Sequence, residues 1–265
     1  MSNNSKAGAG ASPFKKLSLI LLSGLALVSC ASTEKATIIE DDLEIYDPYE
    51  GYNRFMFNFN QHFDDVIVNP VVKGYRFVTP RLARKGVRNV LRNLKSPVIL
   101  ANQLLQGDLE GAKNCALRAA INTTVGIGGL VDLASYNGIE YEGEDFGQTL
   151  AVWGIDHGPY MVVPMLGPSS LRDYSGYFVD GMADPVRWHL FNIDHEDLYY
   201  AKLGTEYLDI RESLYDTLKD IRENSLDPYA ATRSIYYQSR EALVKDQGLG
   251  EGYTTPAIPD YAEED

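Results

Sequence analysis

Three groups of residues in this chain have types and spacings that could carry chemistry. The first lies near the start: Leu27-Val28-Ser29-Cys30 has the pattern of a bacterial lipobox, in which small residues precede a cut and the thiol after it accepts a diacylglyceryl group. The second is a cationic stripe. Val66 to Gly107 holds eight Lys or Arg and no Asp or Glu. Arg81, Arg84, Lys85, Arg88, Arg92 and Lys95 fall within about 100° of arc on a helical wheel, opposite Leu82, Val87, Val90, Leu91 and Leu94. Like charges at i and i+4 repel by roughly 0.2–0.5 kcal/mol per pair, so the stripe calls for an anionic partner. Phospholipid phosphates would serve, at about 1 kcal/mol per basic residue near an anionic surface, with Arg84, Lys85, Arg88 and Arg92 as the candidate headgroup contacts. A partner protein, carboxylates on other helices of this chain, or plain solvation would also answer the charge. The third group is Gly126-Ile127-Gly128-Gly129. It lacks the third glycine of a dinucleotide fingerprint and follows a helical pattern rather than a strand. Gly126, Gly128 and Gly129 therefore read as a hinge that gates the segment after it, or as a helix stop.

Other chemistry has no footing. There is no Gly-x-Ser-x-Gly elbow, His-Glu-x-x-His, Walker loop or EF-hand loop, and His62, His157, His189 and His195 lack ligand spacing. Carboxylate pairs such as Glu144-Asp145 are ordinary surface features. The expectation is a protein that is not an enzyme and needs no metal or cofactor. The formal net charge is −13, and loss of Lys6, Lys15 and Lys16 with a cleaved leader takes it to −16, which argues against nucleic acid as a partner.

These groups need elements to position them. Residues 1–29 read as a signal peptide: Lys6, Lys15 and Lys16 precede an uncharged core from Leu17 to Val28, far short of the roughly 20 apolar residues that span a bilayer. Residues 30–46 form a lipidated, acidic tether; 47–247 a helical body; 248–265 an acidic tail expected to be disordered. Ala31 stands after Cys30, where lipoproteins retained in the inner membrane usually carry Asp, and by that resemblance the mature chain is expected at the outer membrane. Cys115, in an Ala-rich helical pattern, reads as a small buried hydrophobe. The body is expected to be all-α, mostly helical and a single domain, with a loop or hairpin in the Gly/Pro-rich stretch from Tyr136 to Pro168.

The first helix, Gly51 to Ile67, puts Tyr52, Phe55, Met56, Phe59, Phe63, Val66 and Ile67 on one face and Asn53, Arg54, Asn58, Asn60 and Asp64 opposite, with Phe57 projecting from the polar side. Phe55, Asn58, Phe59 and Phe63 mark it either as a helix beside a lipid path or as one whose aromatic face is core. A basic helix follows, then Ser96 to Gln106, then Leu109 to Val125. Helices are also expected at Ser170 to Met182, at Glu196 to Glu223, and from Pro228 toward Val244.

Longer strings carry a resemblance. Asp47-Pro48-Tyr49-Glu50-Gly51-Tyr52-Asn53-Arg54, Asn122-Thr123-Thr124-Val125-Gly126-Ile127-Gly128-Gly129, Asp145-Phe146-Gly147-Gln148-Thr149-Leu150, Gly167-Pro168-Ser169-Ser170-Leu171-Arg172-Asp173 and Asp227-Pro228-Tyr229 are similar to the MlaA/VacJ lipoproteins, over roughly Asp47 to Leu243. The resemblance implies a ring of helices lying in the inner leaflet of the outer membrane around an amphipathic channel. It also implies association with an outer-membrane porin trimer, removal of mislocalised phospholipid from the outer leaflet, and transfer to a soluble periplasmic phospholipid carrier (MlaC-like). Two other classes stay open on the residues alone: a structural envelope lipoprotein without transport, and a phospholipid hydrolase.

The lipobox yields the first prediction. Cys30→Ala should abolish fatty-acid labelling of the protein in cells, because no other side chain at the cut can form the thioether; label retained on the variant would overturn the assignment.

Overall fold

A computed structural model describes residues 46–246, so the signal peptide, Cys30, the tether to residue 45 and the acidic tail lie outside the described residues. Ten α-helices and one two-stranded hairpin are described: α1 (Glu50–Phe63), α2 (Asn69–Val78), α3 (Arg81–Gln106), α4 (Leu109–Thr124), α5 (Leu133–Tyr136), α6 (Phe146–Val152), β1 (Tyr160–Val163), β2 (Gly167–Ser170), α7 (Leu171–Ala183), α8 (Pro185–Asn192), α9 (Glu196–Asn224) and α10 (Pro228–Asp246). The fold is mostly α, as expected.

Local chemistry explains where the elements start and stop. A π-turn, Asp64–Val68, joins α1 to α2 without a break. Pro70 has no N–H to offer, and the wider turn, in which Asn69 N–H reaches back to the Asp64 carbonyl, absorbs the missing bond. Asp108, Asp132, Asp145, Ser170 and Asp184 each accept a backbone N–H at the start of α4, α5, α6, α7 and α8. The basic helix and Ser96 to Gln106, expected as separate elements, are one 26-residue helix that runs through Pro97. A proline inside a helix forfeits one bond rather than ending it when packing holds both sides, and α4 lies along α3 here. Part of the stretch expected as loop is the helix α6. It crosses α7 at two glycines so close that a Cβ on Gly176 would lie 2.3 Å from the Gly147 nitrogen.

The hairpin is antiparallel, with Tyr160 opposite Ser170 and Val163 opposite Gly167. The outer edge of β1 is closed by two asparagines of α1 rather than by a third strand. Asn53 Nδ2 donates to the Tyr160 carbonyl at 3.0 Å, and its Oδ1 accepts from Val162 N–H at 2.9 Å. Asn60 repeats the arrangement two turns on, donating to the Val163 carbonyl at 3.0 Å and accepting from Met165 N–H at 2.7 Å. Tyr160 and Val162 then pack with Tyr229 and Tyr237 of α10, and with Met56, Phe57 and Tyr236 around them. Asp47 ties the entry of α1 to α10: it accepts from Asn53 Nδ2 at 2.8 Å, from Arg233 at 2.6 Å, and from the Tyr229 hydroxyl.

Asn53 satisfies two buried backbone groups, and Asn60 two part-buried ones, that would otherwise lack these partners. Asn53→Ala or Asn60→Ala should therefore cost about 1–3 kcal/mol, read as a lowered midpoint in urea unfolding of the mature protein. Asn58→Ala, an exposed neighbour, should stay within about 0.5 kcal/mol; equal losses at all three positions would discount the latch.

Candidate functional site

Polarity in this body is inverted along several helices. On α1 the side chains turned inward are Asn53 and Asn60, while Phe55 is 64% exposed and Tyr52, Phe59, Val66 and Ile67 are exposed beside it. Phe63 is half-buried and stacks on Phe59, with ring centroids 6.4 Å apart. Phe57, the aromatic residue on the polar side, is the one that packs toward the tyrosine core, with its centroid 5.7 Å from that of Tyr229. At the α2–α3 corner Phe77 is 90% and Leu82 85% exposed. On α9, where Leu203, Tyr207, Ile210, Leu214 and Ile221 form the periodic apolar pattern, the buried residues are Tyr199, Asp209 and Glu212.

Those carboxylates answer the cationic stripe. Glu212 Oε1 accepts from Arg84 Nη1 and, at 3.0 Å, from Arg76 Nε; its Oε2 accepts from Arg88 Nη2 at 3.0 Å. Arg88 Nε also reaches Asp209 at 3.1 Å, and Arg76 reaches Asp216 at 2.9 Å. The assignment of Arg84 and Arg88 to lipid phosphate is thereby corrected: both guanidiniums are spent on α9, because a buried carboxylate at 3 Å outcompetes a mobile headgroup at the surface. Lys85 is exposed on the flank of the stripe. Arg92 is also exposed and lies over the Tyr141 ring, 4.5 Å from its centroid.

Two cavities open among these groups. One, of about 320 Å³, lies between α3, α7 and α9 and includes Arg88, Arg92, Lys95, Tyr141, Asp180, Lys202, Leu203 and Ile210 in its wall. The other, of about 470 Å³, lies between the π-turn, the tip of the hairpin, α9 and α10. In its wall Arg211 meets Asp64 at 2.8 Å and Arg222 meets Asp65 at 2.6 Å. Among the described residues no three His, Cys, Asp or Glu side chains gather as a metal site, and no helix is long and apolar enough to cross a membrane.

The glycine segment closes instead of opening. Gly129 N–H donates to the Asn122 carbonyl at 2.7 Å and Val131 N–H to the Gly126 carbonyl at 2.9 Å. A Cβ on Gly126 would meet the Val131 carbonyl oxygen at 2.3 Å, and one on Gly129 would meet Asn93 Cβ at 2.6 Å. Gly128, at φ +67°, takes a conformation that favours glycine. Of the two expectations for Gly126, Gly128 and Gly129, this geometry gives the helix stop, with backbone bonds on both sides of the turn. Arg118 and Asn122 hold it by donating to Asp132 at 2.8 and 2.9 Å. Burial alone would raise the Asp132 carboxyl, but these donors and Ser135 hold it down to about 2. Cys115 is buried as expected, and burial pushes its thiol up to about 11.

Asp209, Glu212, Asp180 and Tyr141 were not among the residues expected to build a site. Asp209, Glu212 and Asp216 recur at spacings of three and four, the same period as the stripe they neutralise, and that match was the available signal.

The chain is a mostly helical body with ionised groups paired inside and many aromatic and aliphatic side chains exposed outside. The family model described as MlaA lipoprotein matches residues 45–243, and the chain belongs to that family. The intermembrane phospholipid transport system lipoprotein MlaA of Escherichia coli is 33% identical over 232 residues, 86% of this chain and 88% of the relative. An uncharacterized protein of Rickettsia prowazekii is 36% identical over 205 residues, 77% of this chain and 80% of its own. A solved structure, described as the structural basis for maintenance of bacterial outer membrane lipid asymmetry, matches with a TM-score of 0.64 at 33% identity. It covers 75% of this chain and 98% of that one.

Removing the Glu212 charge takes the carboxylate from Arg84 and leaves Arg76 and Arg88 beside it with only Asp216 and Asp209. Glu212→Gln should destabilise the body by about 3–5 kcal/mol, whereas Lys85→Gln should change little. Urea unfolding of the two variants side by side checks this; a Glu212→Gln protein as stable as its parent would mean the cluster is solvated.

Proposed function

We propose that this protein is an outer-membrane lipoprotein that draws mislocalised phospholipid out of the outer leaflet along an amphipathic path and passes it to a soluble periplasmic carrier. The observation that carries the proposal is the inversion of polarity: an ionised, cavity-bearing interior beneath a surface of exposed Phe, Leu and Val side chains. A phospholipid presents the same two chemistries, so a headgroup can follow the charged interior while its tails stay against apolar surface. On this reading the body lies as a ring in the inner leaflet, anchored through Cys30 and seated beside a porin trimer, with Phe55, Phe59 and Phe63 on the lipid side of α1. Lys85 and Arg92 remain as headgroup contacts, joined by Lys95. The Escherichia coli relative's name, an intermembrane phospholipid transport system lipoprotein, supports the same role. The transfer makes and breaks no covalent bond.

Deletion of the gene should raise the amount of aminophospholipid that a membrane-impermeant amine reagent labels on intact cells. The full-length protein should restore the wild-type level, and no lysophospholipid should accumulate with it. Unchanged labelling in the deletion strain would refute the proposal; lysophospholipid released by the purified protein would replace it with a hydrolase.

A further inference from the structure

The smaller cavity contains charges that the protein leaves unmatched, and they are of both signs. Most of its ionised groups are paired: Lys202 lies 3.2 Å from Asp184 and 2.8 Å from Glu206, and Arg88 lies 3.1 Å from Asp209. Three are not. Arg92 and Lys95, one helical turn apart on α3, are exposed and have no carboxylate at ion-pair distance among the described residues. Asp180 on α7 has no cation at that distance. Its Oδ1 accepts from Asn102 Nδ2 at 2.9 Å and its Oδ2 from the Phe146 N–H at 2.9 Å, neutral donors that fix the carboxylate and leave each oxygen a lone pair. Burial, helped by the nearby Asp145 charge, raises the Asp180 carboxyl above its ordinary range, and Lys95, which acts on it only from beyond ion-pair distance, does not offset this. Leu91, Leu203 and Ile210 supply apolar wall in the same cavity.

We infer that this cavity selects phospholipids whose headgroup carries a primary ammonium, with Arg92 and Lys95 taking the phosphodiester and Asp180 the ammonium. The inference rests on the cavity being part of the lipid path and adds the class of headgroup it prefers. The phosphodiester is common to all glycerophospholipids, so the two cations bind without discriminating. Asp180 discriminates: a primary ammonium brings both a charge and N–H donors to the carboxylate, a glycerol headgroup brings only neutral hydroxyls, and a quaternary ammonium brings charge without a donor. The apolar wall adds affinity for the attached tails and none for a free headgroup.

The test uses the mature lipoprotein in detergent, loaded with a phosphatidylethanolamine carrying a fluorophore on its tail and displaced by dioctanoyl phosphatidylethanolamine, phosphatidylglycerol or phosphatidylcholine. The ethanolamine lipid should displace at a concentration roughly fivefold lower than the other two, the gain of one partly solvated ion pair. Asp180→Asn should remove that preference by weakening the ethanolamine lipid alone, and Arg92→Gln with Lys95→Gln should weaken all three. Tail-free glycerophosphoethanolamine should displace poorly; equal displacement by it would identify a site for a soluble phosphate ester instead. Equal displacement by the three lipids from the unmutated protein would overturn the headgroup preference while leaving the lipid path intact. No effect of the double substitution on any of them would overturn the path itself.

Discussion

Glu212 accepts guanidinium hydrogen bonds from Arg76, Arg84 and Arg88, three arginines on two helices that are distant from it in sequence. Apolar burial is a weak constraint in this body, because the fully buried apolar residues are few and the large exposed ones are many. Position is set by directional bonds instead. Asp209 and Asp216 extend the Glu212 cluster along α9, and Asp64 and Asp65 of the π-turn meet Arg211 and Arg222 of the same helix. The long helix α9 is thereby attached to α2, α3 and the π-turn by charge. Ion pairs of this kind gain strength where water is scarce and fix geometry more sharply than aliphatic contacts do.

The other end of the body is organised by a second polar device. Arg240 of α10 donates to Asp145 at 2.7 Å and to Asp173 at 3.1 Å, joining α10 to the N-termini of α6 and α7. Burial would raise the Asp145 carboxyl, but Arg240 outweighs it and holds the group down to about 2. Between the two devices stands the tyrosine cluster on β1, which the side-chain amides of Asn53 and Asn60 hold in register against α1. A hairpin of four-residue strands is marginal by itself; here the neighbouring helix acts as a third strand and the tyrosines as its core.

An interior assembled this way frees the outer surface from the need to be polar. Phe77, Leu82 and Ile127 stand almost clear of the protein, which in water would promote association and in a bilayer leaflet would be solvated by acyl chains. No described helix is both long and apolar enough to cross a membrane. The two cavities are lined by members of the same ionic framework, Arg88 and Asp209 in one and Arg211 and Asp64 in the other.

Much of this was legible in the residues. The largely helical composition, the 3.6-residue periodicities of α1, α3 and α9, and the boundaries of α7, α9 and α10 follow from local chemistry, because caps, prolines and apolar spacing act within a few residues. What periodicity cannot state is which face of an amphipathic helix turns inward. That depends on the phase outside: water drives the apolar face in, and lipid removes that drive and leaves hydrogen bonding and charge to choose. Arg84 and Arg88 therefore looked outward from sequence and point inward in the fold, and Phe57, the misfit on the wheel of α1, is the aromatic residue of that helix in contact with the tyrosine core. The partner of a charge also lies more than a hundred residues away, as Glu212 does from Arg84, and only the tertiary structure brings the two within reach.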